Sequence, residues 1–270
     1  MKVLPPFSER GVAGATTLLR LPLGWGKHCE RTLMATPTPD ATPGFWLRDA
    51  LDPEGHTVAG FVPAGYPFYA RILNPVGVEG FGSEPRRLAW SEAAASVGAP
   101  VYPWMQWHET VLAADGALPR EWTSPAMGDL DQVRARALAE VLEQHTRTPE
   151  ECFFAQWDGY APVTGNNGVV TFPPDREMKI LAGPLSDGAQ PTGNSGTPVN
   201  SGMEHPSGAH GGRRPLYWWP QDRAWCMGQD IYARSVLLGV SGPCLKDLFA
   251  HPDLDIFSVR LSDAVYPEDD

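Results

Sequence analysis

The chain has 270 residues, 42% of them hydrophobic and 10% aromatic, which is enough for one large or two small domains with a proper core. Its 21 Lys and Arg against 32 Asp and Glu leave a formal charge of -11, which disfavours a surface that tracks nucleic-acid phosphates or an anionic membrane and suits steering toward a basic protein partner. The four cysteines, Cys29, Cys152, Cys226 and Cys244, form no C-x-x-C pair and have no histidine at zinc-finger spacing, so they read as reduced thiols in a cytoplasmic protein.

In chain order, MKVLPPFSER places two prolines and an acid where a secretion signal would carry its apolar stretch, and no eighteen apolar residues run together. Neither a leader nor a membrane helix is expected. Residues 1–45 read as an irregular segment, with ATPTPDATPG (35–44) a solvated connection. The remaining residues, 46–270, read as a single domain. HTVAGFVPAGYPFYARIL (56–73) predicts a strand, a turn at Pro63 and Gly65, and a second extended or short helical piece. WSEAAASVG (90–98) predicts one or two helical turns between Ser91 as cap and Gly98 as stop.

The clearest helix is DLDQVRARALAEVLEQH (129–145). Leu130, Val133, Ala137, Leu138, Val141 and Leu142 recur at three- and four-residue intervals, while Arg134, Arg136, Glu140 and Glu143 take the other side. Asp129 or Asp131 can cap it. CFFAQWDGY (152–160) predicts a strand ending at Asp158-Gly159, and VVTFP with EMKILAG predicts a hairpin about Pro173-Pro174-Asp175. Residues 186–215, rich in Gly, Ser, Pro and Asn, offer almost nothing to bury and read as a mobile insertion. AWCMGQDI and SVLLGVS follow as strands, then CLKDLFAH as a short helix entered through Ser241-Gly242-Pro243, then DIFSV as a last strand. Strands and helices without regular βαβ alternation predict an α+β fold with a mainly antiparallel sheet.

The chain contains no G-x-x-x-x-G-K-[ST], G-x-G-x-x-G, G-x-S-x-G or H-E-x-x-H, so no cofactor is expected and the familiar hydrolase classes lose weight. His108, beside Glu109 and close after two tryptophans in PWMQWHET, is a candidate general base, or else a hydrogen-bonded structural histidine. Asp158, with Trp157 and Tyr160 about it, is a candidate catalytic carboxylate or a plain Asp-Gly turn. Tyr69 and Arg71 in FYARIL, and Asp222 and Arg223 in QDRAWC, set arginines among aromatic rings, either stacked structurally or kept for an anionic ligand. Tyr217, Trp218 and Trp219 cannot all face one way on a strand; Trp218 opposes the other two, so at least one ring is expected on a less buried face. Glu204, His205 and His210 have ligand chemistry but lie in the insertion, so no metal site is assigned.

FVPAGYPFYARILNPV, RLAWSEAA, HTRTPEECFFAQWDGY and YWWPQDRAWCMGQDI together resemble a group of hypothetical proteins common in high-GC bacteria, with the order F-x-P-x-G-[FY]-x-x-Y-x-R, W-[AS]-E, W-D-G and W-W-P-x-D-R-A-W-C. The resemblance covers roughly residues 56 to 260 and implies a shared framework without implying an activity. Two functions fit these readings. One is an acidic binding protein, immunity- or regulator-like, that captures a basic partner. The other is a small-molecule or nucleotide-processing enzyme with a cleft lined by Arg71, His108, Asp158 and Arg223. Convergence of those residues in one pocket would favour the second.

Overall fold

The computed structural model describes residues 35–80, 86–159, 167–192 and 213–266. Antiparallel pairing dominates, as the alternating strands and short turns require. A nine-stranded sheet runs in the order β1 (Thr36–Pro37), β8 (Arg176–Gly183), β6 (Cys152–Trp157), β9 (Tyr217–Pro220), β10 (Cys226–Gly228), β11 (Ser235–Val240), β2 (Phe68–Leu73) and β12 (Asp255–Val259). The ninth strand, β7 (Val169–Phe172), pairs with β8 beyond the part that β1 covers. A separate three-stranded sheet joins β4 (Arg86–Leu88), β3 (Val76–Val78) and β5 (Trp122–Thr123). The fold is α+β.

Helix α4 (Gln132–Glu143) starts at Asp131, whose carboxylate accepts from the backbone of Val133 at 2.9 Å, as the capping logic requires. Leu138 and Leu142 are fully buried and pack, with Leu248 of α6 (Gly242–Ala250), on the sheet face formed by Phe154, Trp218, Met227, Val236 and Leu238. The opposite face carries Tyr217, Trp219, Phe172 and Ile180 and is covered by Leu47 and Leu51 from α1 (Thr42–Ala50) and its C-cap, with Val58 and Val62. A third cluster joins α2 (Trp90–Ser96) and α3 (Trp107–Ala113) to β2 and β3 through Trp90, Trp107, Leu73 and Val76.

Several expectations need correction. The run ATPTPDATPG is no mere connection: β1 pairs with β8, and α1 begins at Thr42 with Pro43 in its first turn, where a missing N–H costs nothing. The WHET stretch, to which the sequence reading assigns no element, is helical: Glu109 at the third helical position accepts from the Gln106 backbone at 2.8 Å and closes a capping box. Ser91 is not a cap. Its backbone N–H and hydroxyl each donate to Asp255 at 2.8 Å, tying α2 to β12.

Arg134 lies among the buried residues of α4, not on its solvent side. The ends of the expected insertion are also packed: Asp187, Gly188, Ala189, Thr192 and Arg214 are buried. The Arg214 guanidinium donates to Leu130 O at 2.8 Å and Ala189 O at 3.0 Å, and pairs with Asp129 at 3.1 Å. None of the described helices is long and apolar enough to cross a membrane.

Candidate functional site

The block YWWP becomes β9, flanked by β6 and β10. Alternation holds: Trp218 faces α4 and α6, Tyr217 and Trp219 face α1. The expected open face does not exist, because the sheet is covered on both sides and the three rings are 2%, 0% and 1% exposed. Trp218 satisfies its indole N–H on Pro215 O at 2.9 Å and meets Phe154 edge-on at 6.2 Å. It is a core residue.

Arg71 is 3% exposed. Its Nε donates to Ser235 Oγ at 2.8 Å and its Nη1 to Pro103 O at 2.8 Å and Met105 O at 3.2 Å, with Trp104 5.3 Å away. Carbonyl oxygens of a loop thus close on a buried cation, which fastens residues 103–105 to the sheet. The cavity beside it, lined in part by Gln106, Gln229 and Asp230, measures about 20 Å3, room for a water molecule and no more. Tyr69, on the same face of β2, donates to Pro63 O at 3.4 Å and meets Tyr66 edge-on at 6.5 Å.

His108 is the second residue of α3 and half-buried, and its Nδ1 is enclosed with no hydrogen-bond partner among the described residues. The neighbouring Glu109 serves the capping box and accepts from the Tyr102 hydroxyl at 2.8 Å. Asp158 is exposed at the end of β6 and ion-paired with Lys179. Trp157 lies across Gly159, where a Cβ would stand 2.4 Å from the indole, which accounts for the glycine in the turn.

Asp222 is pinned inward. Its carboxylate accepts from Thr146 Oγ1 at 2.8 Å, the Arg147 backbone at 2.8 Å and the Ala224 backbone at 3.1 Å. Partial burial on its own would raise its pKa, but these donors outweigh it and hold the carboxyl below its ordinary value. Arg223 behaves differently. It is exposed, adopts φ 53°, and lays its guanidinium 4.6 Å over the ring of Trp46 in α1.

These residues do not converge. Between Arg71 in β2 and Asp158 beyond β6 lie three strands, four interstrand spacings or roughly 19 Å. Arg223 follows the end of β9 that pairs with the start of β6, so it and Asp158 lie at opposite ends of a six-residue strand, roughly 20 Å apart.

A groove that the sequence reading did not single out lies between α4 and α5 (Leu185–Gly188), and measures about 200 Å3. Ala139, Leu185 and Ala189 form its buried apolar floor. Glu140, Glu143 and Glu150 stand exposed around it, Arg136 is the one Lys or Arg among its described lining residues, and His251 Nε2 lies 3.9 Å from Glu140. The i, i+3 spacing of Glu140 and Glu143 places both on one helix flank, a signal visible in the sequence. Asp187 of α5 is 4% exposed and faces Gly183; burial first, and repulsion from Glu150 second, push its pKa up to about 6. Among the described residues, no group of three His, Cys, Asp or Glu is placed to hold a metal ion; Cys29, Tyr160, Glu204, His205 and His210 fall outside those residues. No family model, curated protein or solved structure matches the chain.

Proposed function

We propose that the chain is a non-catalytic acidic binding protein whose groove between α4 and α5 takes a basic side chain of a protein partner. The groove carries this reading: three glutamates against one arginine surround an apolar floor. A lysine or arginine can lay its aliphatic stem on such a floor while its charged head meets the carboxylates. The formal charge of -11 speeds the encounter with a basic surface through long-range attraction. The enzyme reading needs Arg71, His108, Asp158 and Arg223 to share a cleft, and the separation of roughly 20 Å of Asp158 from both Arg71 and Arg223 weighs against it. Cys152, Cys226 and Cys244 are free and buried, in keeping with a reducing, cytoplasmic setting.

The test is capture of an immobilised lysine- and arginine-rich peptide at low and at physiological salt. Reversing Glu140 and Glu143 to lysine should weaken capture at least about tenfold, equivalent to about 1.4 kcal/mol. Reversing Glu54 and Asp115, which are exposed elsewhere, should cost far less. Equal losses from the two double variants would mean that only net charge attracts the peptide, and the groove assignment would fall.

A further inference from the structure

The turn after β9 carries a feature that the groove does not explain. Arg223 sits in the left-handed region at φ 53°, where a side chain with a Cβ costs on the order of 1 kcal/mol relative to glycine. The surroundings hold it there. Its backbone N–H donates to Pro220 O at 2.9 Å, its carbonyl accepts from the Tyr66 hydroxyl at 3.1 Å, and Asp222 just before it is fixed by three donors. The result is a guanidinium held 4.6 Å over Trp46, and that ring is itself braced edge-on against Trp219 at 6.2 Å.

Among the described residues, no carboxylate pairs with Arg223, although acids outnumber bases by 11 in the whole chain. The adjacent Asp222 is already committed to Thr146, Arg147 and Ala224. At the edge of the stacked ring, the Trp46 Nε1 is an enclosed donor with no acceptor among the described residues, a condition that a folded chain tolerates at few places. A planar fork of N–H groups, oriented by stacking and left without an acceptor, matches the two oxygens of a carboxylate or phosphate.

We propose that Arg223 and Trp46 form a recognition site for an oxyanion, either a carboxylate or a phosphate group. Stacking on Trp46 removes rotamer freedom from the arginine before the ligand arrives, so less entropy is lost on binding. The strained backbone is what aims the fork. The site is independent of the α4–α5 groove and stands or falls without it.

The experiment follows the indole N–H resonance of Trp46, assigned through Trp46→Phe, while the full chain is titrated separately with inorganic phosphate and with acetate, at ionic strength held constant with chloride. A saturable shift with one anion is expected, and the anion that produces it distinguishes phosphate from carboxylate. Arg223→Gly should abolish the shift, and Arg223→Lys, which keeps the charge but loses the fork, should weaken binding about tenfold or more. Because glycine suits φ 53°, Arg223→Gly should leave Tm unchanged or raised. A resonance that stays still, or that follows chloride equally, overturns the proposal. So does a Tm loss above about 5 °C in Arg223→Gly, since it would make the stack a clasp that holds α1 to the sheet.

Discussion

Arg71 and Arg223 look alike in the sequence, each an arginine among aromatic residues, and the structure gives them opposite situations. Arg71 is enclosed and its N–H groups end on a hydroxyl and two carbonyls; Arg223 is exposed, stacked on one ring, and has no acceptor among the described residues. Aromatic neighbours therefore say little about an arginine's role. What separates the two is the supply of acceptors: the loop of Pro103 and Met105 folds back over Arg71, whereas the backbone at Arg223 turns the side chain outward over Trp46.

Four changes would break or sharpen this contrast. Arg71→Ala should be the most damaging, because it strands buried acceptors as well as removing a buried stack; a loss of roughly 3 to 5 kcal/mol is expected by denaturant titration. Asp222→Ala leaves the donors of Thr146, Arg147 and Ala224 without their shared acceptor, and should cost roughly 1 to 3 kcal/mol. The lowered pKa of Asp222 means that this contribution is present at neutral pH and fades as pH drops below the ordinary carboxylate range, so wild type and variant should draw together in acid.

Asp187→Asn should act through pH alone. The raised pKa makes the folded chain hold its proton more tightly than the unfolded chain does, so this group adds stability as pH falls from about 6 toward the ordinary 3.8. In the asparagine variant that rise should vanish, and at neutral pH the variant should be at least as stable as wild type. The smallest effect is expected at Arg223→Gly, within about 1 kcal/mol and in the stabilising direction. If Arg71→Ala and Arg223→Gly cost the same, the contrast between the two arginines is false.

How much of this was legible depended on whether neighbours in sequence or neighbours in space set the outcome. Local codes were readable: the α4 stripe with Asp131 before it, the β7–β8 hairpin, the Ser241 start of α6 and the strand at Asp255–Val259 all follow from spacing and caps. Helix α3 hides because its aromatic residues suggest a strand while the deciding contact is the reciprocal cap of Gln106 and Glu109. Arg134 and Arg214 hide for another reason. Polar residues are placed outside by any periodicity argument, yet Arg214 is buried because Asp129, Leu130 and Ala189 gather acceptors around it from distant parts of the chain.

The site divides in the same way. Glu140 and Glu143 are visible as a helix flank, but the groove needs α5 packed opposite them. The direction of Trp218 followed from strand alternation; its full enclosure needed the helices on that face. Nothing in QDRAWC announces a left-handed arginine, since that conformation favours Gly, Asn or Asp.

The short strands that end the main sheet on one side affect how copies of the chain can meet. Beyond β8 the edge is divided between β1, two residues long with a proline in it, and the four residues of β7. Proline lacks the N–H that an incoming strand would need, and a broken edge offers no long run of unpaired backbone. Strand-to-strand stacking of molecules along that side is thereby discouraged, so at high concentration the chain is expected to resist forming sheet-linked fibrils from this edge.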